Sequence, residues 1–192
     1  MKPLALQRGM SIVEICVAMA ILALVIGFGA PSTMTWIQNL QVRNAADSIL
    51  GGLQSARLAA LQRNTTVAFE LTDPNSTAWH VCLFDPVAQA CIPGDIRTSE
   101  RSGTQNARVG VEYQFTDFNT ALSGGYNIPA LVAFDQFGRV ATTSASNIAR
   151  LDVRNPSMTS NERRLSIQIQ VAGQVRMCDP QVSKGLNPQG CQ

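Results

Sequence analysis

The sequence predicts an α+β protein: a long N-terminal helix, membrane-like in its first half and amphipathic in its second, followed by a β-rich domain. Three observations carry this. Residues 10–30 are apolar apart from one acid, Glu14. Val42, Ala46, Ile49, Leu53, Ala56 and Ala60 recur at alternating spacings of four and three, the signature of one buried helical stripe. After Arg63 the apolar period changes to two, as strands require.

The first segment is long enough to span a bilayer as a helix. Lys2 and Arg8 precede it and no Lys or Arg follows until Arg43. The bias of positive charge places the N-terminus in the cytoplasm and the rest of the chain across the membrane. Glu14 is the anomaly, because an acid at the centre of a membrane helix costs about 2.5–3.5 kcal/mol on insertion scales. A secretory signal peptide shares the basic start and the apolar run but has a poor exit. Cleavage after Ala30 sets Phe28 where a small residue is wanted and leaves Pro31 directly after the cut. An uncleaved signal anchor explains the acid no better.

The stripe predicts that residues 31–63 continue the helix and bury one face against a sheet, with Arg43, Asp47, Gln54 and Arg57 largely off it. Gly51 and Gly52 interrupt it, marking close packing or a soft point. Strands are then expected around Val67–Leu71, Trp79–Leu83, Val109–Phe115, Leu131–Phe134, Ile148–Val153, Leu165–Val171 and Gln174–Met177. Gln136-Phe137-Gly138 and Ala172-Gly173 read as turns. Residues 116–129 and 155–162 read as polar loops.

Composition limits the chemistry. Without Lys2 and Arg8 the chain carries thirteen basic and thirteen acidic side chains. Residues 10–129 sum to −3 and residues 130–192 to +3, a modest attraction for polyanions at the C-terminal end. Catalysis is not expected. The one histidine, His80, sits in an alternating strand pattern, no nucleophile motif surrounds a serine or threonine, and no glycine-rich loop with a lysine offers to cradle phosphate. Asp135 and Arg139 flank a turn and read as a surface pair.

Five cysteines are present. Cys16 lies in the apolar helix and reads as a packing residue. Cys82, Cys91, Cys178 and Cys191 would face an oxidising compartment, and four cysteines allow three connectivities. Proximity favours Cys82–Cys91 and Cys178–Cys191, although spacing alone does not decide it. The lack of a CxxC pair and the single histidine weigh against zinc, so neither metal nor cofactor is expected.

The run Arg8-Gly9-Met10-Ser11-Ile12-Val13-Glu14 resembles the N-terminal signal of type IV pilins and type II secretion pseudopilins. Met10 departs from the phenylalanine usual there. The resemblance implies that residues 1–9 are a leader, that a prepilin peptidase cuts between Gly9 and Met10, and that Met10 is then N-methylated. It also implies that residues 10–30 remain as a transmembrane helix. Glu14 would neutralise the terminal amine of a neighbouring subunit during assembly. Such pairing offsets the desolvation each charge would suffer alone.

Leu131 to Val140, and Arg164 through Gly173-Gln174-Val175-Arg176-Met177-Cys178-Asp179-Pro180, resemble the GspH/FimT group of minor pilins and pseudopilins, especially its FimT/FimU branch. This implies a pilin-like fold, a long helix packed on antiparallel β-sheets, with residues 64–192 as the periplasmic domain. The implied partners are other minor pilins, the major pilin and the inner-membrane assembly platform. The expected function is a minor pilin that helps initiate or cap a type IV pilus. One alternative is the equivalent pseudopilin of a type II secretion system. Another is DNA capture for uptake, because some FimT-type pilins bind DNA through a C-terminal Gly-Arg-x-Arg motif. Here that motif reads Gly173-Gln174-Val175-Arg176, with one arginine replaced by glutamine. Arg163, Arg164, Lys184, Arg150 and Arg154 would extend a patch around Arg176 if the fold brought them together.

Overall fold

The computed structural model describes residues 11–99, 106–122, 124–144, 146–157, 163–183, 185 and 187–191, and of residues 28–33 the backbone only. One helix, α1 (Ile12–Arg63), is followed by nine described strands: β1 (Val67–Leu71), β2 (Trp79–Asp85), β3 (Ala90–Cys91), β4 (Arg97–Ser99), β5 (Arg108–Glu112), β6 (Ala130–Phe134), β7 (Arg150–Arg154), β8 (Leu165–Ile169) and β9 (Val175–Cys178). The chain divides into two compact units, Met1–Ile37 and Gln38–Gln192.

In the first unit every described side chain from Ser11 to Gly27 is exposed. Among the described residues no helix is long and apolar enough to cross a membrane.

In the second unit the stripe is the buried face of α1. Val42, Ala46, Ile49, Leu53, Ala56 and Ala60 are fully enclosed, and Ala45 and Ala59 widen the band. They join one core with the inner faces of two sheets, including Phe69, Trp79, Val132, Leu151 and Ile167. Enclosing Ile49 or Leu53 is worth about 1.5–3 kcal/mol each, so packing outweighs the roughly 1 kcal/mol that a helical glycine costs. Asn64 ends the helix in the left-handed region, with φ 51°. The Thr65 N–H reaches back to the Ala60 carbonyl at 3.3 Å, closing the last turn.

The two glycines of α1 are not equivalent. A β-carbon on Gly52 would lie 2.7 Å from Phe69 Cε2 and 2.9 Å from the Trp79 ring, whereas one on Gly51 would meet nothing within 4 Å. Substitution by alanine should therefore have opposite signs. Gly51→Ala is expected to stabilise the domain by up to about 1 kcal/mol through helix propensity. Gly52→Ala is expected to destabilise it, because overpacking two enclosed rings costs about 1–3 kcal/mol. Urea denaturation of the full chain in detergent followed by Trp79 fluorescence checks the pair, and equal effects would contradict the packing argument.

The first sheet runs β3-β2-β1-β6, with β4 also paired to β2, and the second runs β5-β7-β8-β9. Every strand pairing is antiparallel. β3 and β4 are absent from the sequence reading, because two and three residues are too short to show a period. Conversely, the strand expected over Val109–Phe115 stops at Glu112, the residue opposite Arg150 at the start of β7. Tyr113 and Phe115 leave the sheet and are 41% and 39% exposed. β8 likewise ends at Ile169, and Val171 sits 80% exposed in the turn that follows.

Two turns then meet. Asp135 Oδ1 accepts the N–H groups of Phe137 and Arg139, each at 2.9 Å, and its Oδ2 pairs with Arg139 Nη2 at 3.3 Å. The Gly138 carbonyl accepts Arg57 Nε from α1 at 2.9 Å. The turn between β8 and β9 docks on this one: the Val140 N–H donates to the Val171 carbonyl at 3.0 Å, and Gly173 packs against Gly138.

Candidate functional site

Gly9 and Met10 lie outside the described residues. Glu14 occupies the first turn of α1, where a carboxylate complements the helix dipole. It is exposed, as are Ile12, Val13 and Val17 around it, the first at 81%. Cys16 is a free, exposed thiol on the same segment.

The candidate basic patch is not assembled as the sequence implied. Strand alternation puts Arg150, Asp152 and Ser166 on the outer face of the second sheet, opposite the core residues Leu151, Val153 and Ile167. That face is covered. Arg150 and Asp152 are fully enclosed and Arg164 nearly so. Arg164 Nη1 contacts Asp152 Oδ2 at 3.1 Å, and Arg150 contacts Glu112 Oε2 at 3.1 Å and Asp152 Oδ2 at 3.5 Å. Asp152 also accepts the Ser166 hydroxyl at 2.6 Å and the Leu122 N–H at 3.0 Å. The guanidinium groups in turn donate to the carbonyls of Thr120 and Phe118 at 2.8 and 2.7 Å. The network thus ties the 118–122 loop to the sheet. Asp117 opens that loop; its carboxyl is held below the usual range by the N–H groups of Thr120 and Asn119.

Arg150 and Arg164, expected as members of an exposed patch, are therefore buried cations paired within the domain. Arg163 pairs with Asp179 at 3.6 Å and is only one-third exposed. Lys184 lies outside the described residues. Gln174 and Arg176 are exposed, two residues apart at the start of β9, an edge strand of the second sheet. Arg176 Nη2 donates to the carbonyls of Gly190 and Pro188 at 3.3 and 3.4 Å, which fastens it to the C-terminal loop. Cys178 and Cys191 are disulfide-bonded and close that loop.

The first sheet has a second polar cluster on its outer face. Cys82 and Cys91 are disulfide-bonded. His80 Nε2 lies 3.1 Å from Glu70 Oε2 and His80 Nδ1 lies 3.0 Å from Asp95 Oδ1. The hydrogen bond to Glu70 is the main cause that raises the His80 pKa; burial opposes it, and the charges of Glu70 and Asp95 add to it. The alternating pattern sets His80 in a strand but shows neither Glu70 nor Asp95 beside it. Their proximity comes from the Glu70↔His80 register and from the loop before β4, neither of which spacing displays.

A long helix packed on two antiparallel sheets is the fold of the pilin class. The chain belongs to the GspH family: the family model described as Type II transport protein GspH matches residues 45–173. It is therefore a minor pilin or pseudopilin by family. Two crystal structures of the type IV minor pilin FimU from Pseudomonas aeruginosa are similar to it. One has a TM-score of 0.51 at 14% identity, covering 82% of this chain and 99% of that one. The other has a TM-score of 0.47 at 15% identity, covering 78% and 99%. At such identity the likeness is one of fold. No curated protein matches the chain. The family match starts after Glu14 and ends at Gly173, so neither the N-terminal signal nor Gln174 and Arg176 falls within it.

Proposed function

We propose that the chain is a minor pilin of a type IV pilus, a structural subunit that helps initiate or cap the fibre. In this reading prepilin peptidase cuts between Gly9 and Met10, Met10 is methylated, and residues 10–30 hold the subunit in the inner membrane with its C-terminal domain in the periplasm. Assembly brings it to other minor pilins and the major pilin at the inner-membrane platform. The supporting observation is the exposed apolar start of α1 with Glu14 in its first turn, a surface suited to lipid and then to neighbouring helices. Glu14 would pair with the Met10 amine of the adjacent subunit, a charge that exists only after cleavage.

Glu14→Val is expected to leave membrane insertion intact, since it removes an insertion cost of about 2.5–3.5 kcal/mol. It is expected to reduce recovery of the subunit in sheared fibres. Wild-type incorporation of the variant would remove the proposed role. A deletion strain scored for both piliation and exoprotein secretion separates the machines: lost secretion with intact pili assigns the chain to a type II secretion pseudopilus.

DNA capture receives less support from the geometry than from the sequence, because Arg150 and Arg164 are taken up internally. Arg176 and Gln174 remain as its exposed described candidates. A gel shift carried by Arg176, with the uncharged Gln174 beside it, should show a slope of log affinity against log salt of only about −1. A shift that survives Arg176→Ala unchanged would eliminate this reading.

A further inference from the structure

We propose that Glu70, His80, Cys82 and Cys91 form a binding site for one divalent ion of the zinc class while the two cysteines are still thiols. Cross-strand register builds the site. Glu70 faces His80 across β1 and β2, and Cys82, two residues further along β2, lies on the same face. β3 folds back so that Cys91 opposes Phe84. One ligand atom from each of the four side chains lies within 4.8 Å of all the others.

The donors suit zinc, which accepts thiolate sulfur, imidazole nitrogen and carboxylate oxygen in a tetrahedron. Bonds of about 2.0 Å from nitrogen and oxygen give a tetrahedral edge of about 3.3 Å, and His80 Nε2 already lies 3.1 Å from Glu70 Oε2. The ion would take the place of the proton between them. Asp95, 3.0 Å from Nδ1, would then hold the other ring nitrogen as a donor, the arrangement that orients histidine ligands in zinc proteins. Asp95 is a positioning residue in this site and not a ligand. Spacing in the sequence argued against zinc because it shows neither a CxxC pair nor a second histidine; the sheet supplies the convergence instead.

The same sulfurs make the Cys82–Cys91 disulfide, so bound ion and disulfide exclude one another. Metal binding transfers no electrons: the two thiols release two protons to solvent as they become thiolates. Closing the disulfide is a separate step. It sends two electrons from the two thiolates to a disulfide-bearing oxidant, which takes up two protons from solvent and becomes a dithiol, and the ion is released.

The test uses the full chain in detergent, reduced with a phosphine and titrated with Co2+ and then Zn2+. One Co2+ per chain is expected, with the visible bands of a tetrahedral site and thiolate charge-transfer bands, all lost on adding Zn2+. Zinc should slow iodoacetamide alkylation of Cys91, the partly exposed thiol of the pair, because the ion occupies the thiolate that would attack the reagent. Mass spectrometry should show Cys16, Cys178 and Cys191 reacting as before. Asp95→Asn should weaken binding about 10–100-fold. The proposal is overturned by absence of the tetrahedral bands, by protection of Cys178 and Cys191 instead, or by equal binding to the oxidised chain. The protection experiment needs no variant, so a misfolded mutant would not rescue the idea.

Discussion

Gly173→Ala is expected to destabilise the domain by about 2–5 kcal/mol, more than any other single-methyl change considered above. Two costs add. Gly173 has φ +80°, a conformation that costs an L-residue roughly 1–2 kcal/mol. A β-carbon there would also fall on the Gly138 carbonyl, with the Gly138 carbonyl carbon 2.8 Å away. Backbone cannot rotate aside as a side chain can, so the two docked turns would have to part, and overpacking of this kind costs about 1–3 kcal/mol or more. Their separation would strain the Val140–Val171 hydrogen bond and, through Gly138, the bond from Arg57 on α1. Gly138→Ala is the informative contrast. Its φ is +71°, but the added carbon meets the Arg57 and Leu61 side chains at 3.1–3.3 Å, which can shift. A smaller loss is expected there. Urea midpoints of the full chain in detergent measure both, and a Gly173→Ala midpoint equal to wild type would refute the packing account. The glycine that opens the Gly-x-x-Arg motif thus has a structural reason to be there, whatever Arg176 binds.

The parts of this fold that sequence displays are those in which one period meets one core. The α1 stripe is legible because each of its members faces the same sheets, and β1, β2, β6 and β8 because their inner faces are continuous. Tyr113 and Phe115 mislead for a physical reason. They extend the alternation of β5, but a strand ends where its hydrogen-bond partner ends, and β7 begins at Arg150 opposite Glu112. Composition cannot report that limit. Arg164 misleads in a related way. A run of cations reads as a solvated face, yet its counter-charge is Asp152, twelve residues back and on the neighbouring strand. His80 is a third case, since its acids arrive through register and a loop. Signals local to a few residues survive in sequence; pairings fixed by strand register do not.

Asp152→Ala is expected to cost about 3–5 kcal/mol, the usual penalty for breaking a buried ion pair and leaving the partner uncompensated. Here two guanidinium groups, those of Arg150 and Arg164, would lose their shared carboxylate inside the covered face, and the Ser166 hydroxyl and Leu122 N–H would lose an acceptor. Against a typical domain stability of 5–15 kcal/mol, this leaves a marginal fold and loosens the 118–122 loop first. The double variant Asp152→Ala with Arg164→Leu should lose less than the sum of the singles, by about 0.5–3 kcal/mol, because it removes one of the charges the single variant strands. Additivity would mean that the contacts carry no coupling, and a wild-type midpoint for Asp152→Ala would mean that the network is inert. The same experiment bears on ligand capture. If the arginines are held internally, Asp152→Ala should release positive charge and strengthen adhesion to polyanions as it weakens the fold, whereas a face already serving a nucleic acid would lose binding together with stability.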